Sequence, residues 1–160
     1  MPALSEEQLD ATDTQAIRKA SFIFHFAVGN NWPESNRKGE FVIAILGNQN
    51  IYEELVDKYA TKPVGSQVLK IVNLENAQFD IAPHILYLDK SMQSELKGVV
   101  EKTKNYNTLV VGDSPGSLTN GAIINFKVVD SRIRYEINLE AAKKRNITIG
   151  SKIASWAVQE

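Results

Sequence analysis

Cysteine is absent from this chain of 160 residues, and histidine occurs only twice, at His25 and His84. Without cysteine the chain has no disulfide bond, no thiolate metal ligand and no cysteine nucleophile. Each histidine falls in an apolar segment and has no acidic residue at the spacing of a metal site, which favours a hydrogen-bonded core histidine. We therefore predict no metal centre.

Cofactor motifs, long hydrophobic runs and an excess of charge are also lacking. The turn Gly47-Asn48-Gln49-Asn50 has neither the G-x-G-x-x-G nor the P-loop pattern, so we predict no cofactor. No segment approaches the run of about 18 apolar residues that spans a membrane, so we predict no membrane insertion. Because 18 basic residues stand against 19 acidic ones, we also predict no nucleic-acid partner.

One motif imitates a hydrolase. An apolar run over residues 108–111 leads into Gly112-Asp113-Ser114-Pro115-Gly116, which has the G-x-S-x-G spacing of a nucleophile elbow. That elbow needs a backbone N–H on the residue after the serine, and Pro115 has none. Both histidines also precede Ser114, whereas the triad requires one after it. We predict that the protein is not an enzyme and assign no catalytic residue, since Asp-Ser-Pro-Gly also forms a turn.

The hydrophobic pattern of the first two thirds predicts a parallel α/β sheet. Residues 1–13 are polar and acidic and are expected to form a flexible leader, and residues 14–160 a single domain. A helix is predicted from the N-cap Asp13 to Gly29. A continuous apolar run typical of a buried strand occurs at residues 41–46, and further strands are predicted at residues 68–72, 84–88 and 108–111. Helices over 51–60 and from Ser91 to about Lys104 alternate with them.

The last third changes its pattern. Residues 122–129 and 132–137 alternate polar and apolar side chains, and only Asp130 and Ser131 separate them, which predicts a β-hairpin. Asn138 can cap a helix over 139–145, where the basic run 143–145 complements the helix dipole. An apolar tail follows at 151–158. The predicted fold is a single-domain α/β/α sandwich whose sheet is mostly parallel and ends in an antiparallel hairpin.

Six polar residues are the candidates for binding a ligand or a partner. Asp113 and Ser114 lie in the loop after the fourth strand, and Asn125 is the polar residue of an apolar strand, where it either pins that loop or contacts a ligand. The remaining three share one face of the last strand, which is either solvated or meets a partner: Arg132, Arg134 and Glu136. Trp32 and Trp156 are either core residues or interface anchors.

Several segments resemble the YfiR family of bacterial periplasmic regulators. The first is Arg18-Lys19-Ala20-Ser21-Phe22-Ile23, which continues to Trp32-Pro33, and the second is the strand at residues 42–47. The most specific block contains residues 112–116, Gly121-Ala122-Ile123-Ile124-Asn125-Phe126, residues 132–139 and Ser151-Lys152-Ile153. The resemblance spans nearly the whole chain from about residue 16.

The resemblance implies a non-catalytic regulator in the periplasm that is often a homodimer. Its known relatives repress a membrane-bound diguanylate cyclase by binding its periplasmic part, and an outer-membrane lipoprotein relieves them. Those relatives form disulfides, so the missing cysteines exclude redox control of that kind here. Residues 1–7 do not resemble a signal peptide, and we expect an export signal to have been removed. The alternative is a module that binds a small ligand or anion with the loops after the first and fourth strands.

Overall fold

The computed structural model describes the backbone of residues 6–158 and the side chains of residues 14–158. Its helices are α1 (Glu6–Gly29), α2 (Gln49–Tyr59), α3 (Leu96–Thr103), α4 (Leu139–Lys144) and α5 (Ser151–Trp156). Its strands are β1 (Phe41–Leu46), β2 (Leu69–Leu74), β3 (Ile85–Leu88), β4 (Leu109–Gly112), β5 (Ile124–Val129) and β6 (Arg132–Ile137). Short 3₁₀ turns occupy Glu34–Asn36 and Lys90–Glu95.

All six strands join one sheet in the order β2-β1-β3-β4-β5-β6. The first five of these are parallel, and β6 runs antiparallel to β5 from Ile124 opposite Ile137 to Val129 opposite Arg132. Because β1, β3 and β4 are buried on both faces, they need the continuous apolar runs that the sequence shows. The predicted fold class is confirmed.

A separate apolar core covers each face of the sheet. Ile43 and Ile45 of β1 face the larger core, whereas Ala44 and Leu46 face the smaller one, as the period of a strand requires. The larger core contains apolar side chains of α1, α2 and α5, namely Ala20, Ile23, Leu55 and Ile153. The smaller core contains Leu96 and Val99 of α3. Helices therefore sandwich the sheet from both sides.

The start of α1 differs from the prediction. Within the described residues the helix begins at Glu6, so Asp13 is inside it and is not its N-cap. Part of the predicted leader is therefore helical, and residues 1–5 lie outside the described residues. The run Glu6-Glu7-Gln8-Leu9 consists of good helix formers, which extend a helix without an apolar period. Within the described side chains, the apolar stripe of α1 packs in the larger core.

The segment after β3 also differs from the prediction. Ser91 does not cap an α-helix. The side chain of Asp89 accepts a hydrogen bond from the backbone N–H of Ser91 and caps the 3₁₀ turn, and α3 begins at Leu96. Cap residues act through this kind of local bond, so the aspartate two residues earlier replaces the serine. The predicted tail contains the helix α5.

Candidate functional site at the carboxyl edge of the sheet

Two acidic residues follow the central strands at their carboxyl ends. Asp89 comes directly after β3 and Asp113 directly after β4. Tyr87 lies between them, and its hydroxyl is 2.5 Å from Oδ2 of Asp113 and 3.0 Å from Oδ1 of Asp89. Because a phenol has one proton to donate, it serves one carboxylate at a time. Parallel strands thus bring two side chains that are distant in the chain to one edge.

A lysine of α1 completes this arrangement. Nζ of Lys19 is 2.6 Å from Oδ2 of Asp113, and each of these side chains is only 10% exposed. On the other side, Nδ2 of Asn48 donates to Oδ1 of Asp89 at 2.8 Å. We call these five residues the carboxyl-edge cluster: Lys19, Asn48, Tyr87, Asp89 and Asp113. The cluster ties α1 to the loops that follow β1, β3 and β4.

The protonation of the cluster follows from burial and hydrogen bonding. Burial raises the pKa of Asp113 above its ordinary value, although Lys19 and the Tyr87 hydroxyl oppose this effect. Burial would also raise the pKa of Asp89, but hydrogen bonds from Asn48, Ser91 and Tyr87 hold it below its ordinary value. Burial, followed by the two carboxylate charges, raises the pKa of Tyr87, so that its hydroxyl stays a donor.

Asn125 holds the loop after β4. Its Oδ1 accepts a hydrogen bond from the backbone N–H of Ser114 at 3.1 Å, and its Nδ2 donates to Oε1 of Glu136 at 3.2 Å. Nζ of Lys127 lies 3.4 Å from Oε2 of Glu136. This is the pinning that the sequence suggests as one of two roles for Asn125. Beside it a cleft of about 600 Å³ opens, with Asp113, Ser114, Asn125 and Glu136 in its lining.

Arg132 and Arg134 lie in a different place from the other four candidates. They line a groove between α1, β6 and α5, together with Arg18, His25 and Trp156. One guanidinium nitrogen of Arg134 is 3.4 Å from the carbonyl oxygen of Trp156. Residues on one face of β6 therefore divide between the cleft and this groove.

The surroundings of Ser114 do not resemble those of a serine hydrolase. His84 precedes β3 and so lies at the opposite edge of the sheet. Its Nδ1 accepts from the backbone N–H of Val42 at 3.1 Å, so Nε2 carries the proton and donates to the carbonyl of Asn36 at 2.6 Å. Burial lowers the pKa of His84 and keeps it neutral. His25 bonds the carbonyl of Ser21 within α1.

Packing explains the glycine that opens the hydrolase-like motif. A Cβ at Gly112 would lie 2.5 Å from Oγ of Ser117, which is too close for any side chain. Oγ of Ser117 in turn donates to the carbonyl of Ser114 at 2.8 Å and closes the turn. The glycine therefore serves the close approach of the turn to β4.

The loop after β1 is filled by its own chain. A Cβ at Gly47 would lie 2.7 Å from Cγ of Met92, which shows how closely the 3₁₀ turn packs there. Asn48 caps α2 by accepting from the N–H of Ile51 at 3.0 Å. Of the two loops named for ligand binding, the one after β4 borders the cleft, whereas the one after β1 packs against the turn that follows β3.

Sequence reasoning missed Lys19, Tyr87 and Asp89 as members of this site. One signal was present, because Asp89 and Asp113 each stand directly after an apolar run, where open α/β sheets place their functional residues. Lys19 is a second signal, since it interrupts the buried stripe of α1 between Ala16 and Ala20. Tyr87 resembles any other apolar residue of β3 and carries no such signal.

Among residues 14–158, no three histidine, aspartate or glutamate side chains are grouped so as to hold a metal ion. Within the described helices, none combines the length and the apolar character that crossing a membrane requires.

The fold is similar to that of a conserved domain protein from Vibrio cholerae O1 biovar El Tor strain N16961, with a TM-score of 0.57 and 14% identity. The similarity covers 89% of this chain and 59% of the other, so this chain spans less than two thirds of that protein. At this identity only the fold is shown. No curated protein matches the chain. A model of the YfiR/HmsC-like family, a regulatory rather than a catalytic domain, matches residues 17–158, and the chain belongs to that family.

Proposed function

We propose that the protein is a non-catalytic periplasmic regulator that binds the extracytoplasmic part of a membrane signalling protein, such as a diguanylate cyclase, and represses it. The observation that carries this proposal is the match to the YfiR/HmsC-like family over residues 17–158. An outer-membrane lipoprotein that captures the regulator would relieve the repression.

The carboxyl-edge cluster supports a binding role over a catalytic one. A catalytic base or nucleophile has to offer a free lone pair to a substrate at the right pKa. Here Asp113 is paired with Lys19, and Asp89 accepts from Asn48, Tyr87 and Ser91. Oδ2 of Asp113 and both carboxylate oxygens of Asp89 accept these bonds, which hold the edge in a defined shape.

Repression by such a protein is a matter of differential affinity. A partner that exchanges between active and inactive states is shifted only by a protein that binds one state more tightly. Moving that equilibrium from about 1:99 to about 99:1 requires roughly 10⁴-fold tighter binding to the inactive state. A preformed surface, held by the carboxyl-edge cluster, loses little entropy on binding and so helps to reach that ratio.

Capture from a native envelope tests this proposal. The purified chain, immobilised through one terminus, is mixed with detergent-solubilised envelope of its host, and bound proteins are identified by mass spectrometry. We expect an integral membrane protein with an extracytoplasmic domain, whose activity in proteoliposomes falls when the chain is added. A Lys97→Glu variant, changed on an exposed position of α3, is the control and should behave alike. Recovery of no such protein contradicts the proposal.

A homodimer is part of the same proposal, since the family resemblance implies it. Light scattering across a concentration series is the measurement. We expect the mass of two chains at the higher concentrations, and a mass of one chain throughout contradicts the homodimer without touching the regulatory role.

A second candidate function is the binding of a small ligand in the cleft beside β4. The supporting observation is its volume of about 600 Å³, which lies within the range of ligand pockets. A ligand present at roughly 100 times its dissociation constant would stabilise the protein by about 2.7 kcal/mol. A thermal-shift screen of anions, amino acids and nucleotides measures this, with Ser114→Trp as the variant that fills the cleft. The absence of any shift rejects this function.

A further inference from the structure

The groove between α1, β6 and α5 has its own chemistry. Its volume is about 530 Å³, and it lies open to solvent along one side of α1. We call it the arginine groove and define it by the charged and ring side chains that line it: Arg18, Phe22, His25, Arg132, Arg134 and Trp156. None of these residues belongs to the carboxyl-edge cluster.

Among the side chains of residues 14–158, the groove concentrates positive charge. No acidic side chain of the described residues lines it. Within residues 14–158 the ion pairs involve only lysines, so none of the three groove arginines has a carboxylate partner. The whole chain carries a net charge of −1, so this grouping is a local departure from balance. Guanidinium groups in this situation attract carboxylates, which they bind in a bidentate geometry.

Aromatic rings form the apolar part of the same groove. Trp156 is 38% exposed although it is one of the largest side chains of the protein. The His25 ring packs edge-on against the Trp156 ring at 5.8 Å between centroids, and Nζ of Lys152 lies 5.5 Å from its centre. These contacts fix the orientation of the indole before anything binds. Tryptophan and arginine are the residue types that dominate the energetics of protein interfaces.

We infer that the arginine groove is the docking surface for an acidic segment of a partner protein, one that carries an aromatic side chain among its carboxylates. The carboxylates would pair with Arg18, Arg132 and Arg134, while the ring packs against Phe22 and Trp156. This inference rests on the proposed function and deepens it, because it names the surface and the charge of the partner. The carboxyl-edge cluster positions α1 and thereby one wall of the groove.

A second copy of the chain fits the groove poorly. A two-fold interface places the same patch on both sides, and here it would bring six guanidinium groups together without carboxylates among the groove residues. A homodimer of this protein is therefore expected to use another face. A nucleic acid also carries negative charge, so the binding of a single-stranded oligonucleotide is measured beside that of the peptides.

Fluorescence anisotropy with defined peptides tests the inference. The probe is a labelled acetyl-Glu-Asp-Phe-Asp-Glu amide, compared with the same peptide bearing Ala for Phe and with one bearing Lys at each acidic position. We expect the acidic aromatic peptide to bind most tightly, with an affinity that weakens as salt is added. Arg18→Glu/Arg132→Glu, changed at two exposed positions, should weaken binding by about tenfold or more. Trp156→Ala should weaken the Phe peptide and leave the Ala peptide unchanged.

Matched controls separate the groove from general electrostatics. Lys70→Glu/Lys97→Glu makes the same change in charge at exposed positions of β2 and α3 and should bind like the wild type. Circular dichroism and thermal midpoints confirm that each variant is folded. No binding of the acidic peptide, equal loss in both charge-reversal variants, or tighter binding of a single-stranded oligonucleotide each overturns the inference.

Capture of the membrane protein tests the proposed function separately from the docking surface. If Arg18→Glu/Arg132→Glu still captures the membrane protein as the wild type does, the docking surface is wrong and the regulatory function stands. If the wild type captures no membrane protein, the regulatory function is wrong whatever the peptides do.

Discussion

Arg145 is the clearest case of a single residue whose role depends on distant groups. It is 7% exposed, and its guanidinium donates to the carbonyls of Val100 at 2.6 Å, Thr103 at 3.3 Å and Thr108 at 3.1 Å. Val100 and Thr103 belong to the last turn of α3, whose carbonyls lack helical partners. Arg145 therefore caps α3, whereas the sequence suggests that it complements the helix in which it was predicted to lie.

Replacing Arg145 should destabilise the protein strongly. Arg145→Met keeps the length of the side chain but removes the guanidinium donors from the carbonyls of Val100, Thr103 and Thr108, which we expect to lower the free energy of unfolding by about 3 kcal/mol. Lys144→Met, at an exposed neighbouring position, should change it by less than about 0.5 kcal/mol. Urea denaturation measures both, and equal effects would contradict the capping role of Arg145.

Asp113 should give the protein a recognisable dependence on pH. Because burial raises its folded pKa, the folded state holds this proton more readily than the unfolded chain. Its contribution to stability is complete below the unfolded pKa of about 3.9 and is lost as the pH rises through the folded pKa. The stability of the wild type relative to Asp113→Asn should therefore fall as the pH rises from the unfolded pKa through the raised folded pKa.

Urea denaturation at a series of pH values measures this difference. Asp80→Asn, at an exposed position, serves as the control for a general loss of charge. A wild-type advantage that grows with rising pH would show that the ion pair with Lys19 outweighs burial.

At the scale of elements, two glycines differ in what surrounds them. A Cβ at Gly150, just before α5, would lie 1.9 Å from the carbonyl oxygen of Gly29 at the end of α1. Backbone cannot yield as a side chain does, so this close approach is possible only for glycine. A Cβ at Gly98, inside α3, would meet nothing within 4 Å. The first glycine joins two helices, and the second only weakens one.

Substituting each glycine by alanine should therefore have opposite effects. Gly150→Ala should lower the free energy of unfolding by about 3 kcal/mol or more, because α5 must move away from α1. Gly98→Ala should raise it by about 0.5–1 kcal/mol, since alanine favours the helix and fits without contact. Thermal unfolding compares the two variants with the wild type. A stable Gly150→Ala protein would mean that α5 does not sit against the end of α1.

At the scale of the whole molecule, one sheet carries both apolar cores. Every described strand is hydrogen-bonded to a neighbour, and α1 is joined to the loop after β4 through Lys19 and to α5 through Gly29 and Ile153. No described segment forms a core of its own apart from the sheet. Unfolding of one part therefore exposes the core of the others, which is the basis of cooperative behaviour.

We expect a single cooperative unfolding transition, as a single domain requires. Trp156→Phe leaves Trp32, which is 4% exposed, as the only tryptophan and hence as a probe of the larger core. Its fluorescence and the far-ultraviolet circular dichroism should change at the same urea concentration. Two separate midpoints would contradict the prediction of one domain.

The hairpin shows how much local sequence can predict. Only Asp130 and Ser131 separate the two alternating runs, and both adopt positive φ values, +51° and +64°, in a tight turn without glycine. The buried strands could be predicted equally well, because an apolar run indicates a strand that is buried on both faces. In contrast, the predictions for the start of α1 and for the cap of the turn after β3 were wrong, because single side chains decide where a helix begins and which residue caps it.

The sequence by itself determined the succession of strands and helices along the chain and the parallel sheet with its terminal hairpin. It also showed that the hydrolase motif fails at Pro115. These features depend on residues within a short stretch of the chain. Only the tertiary structure decided that Lys19 meets Asp113, that Arg145 caps α3, and that Trp32 is buried whereas Trp156 is exposed. Lys19 and Asp113 are 94 positions apart, and they meet because strand order places the end of β4 beneath α1.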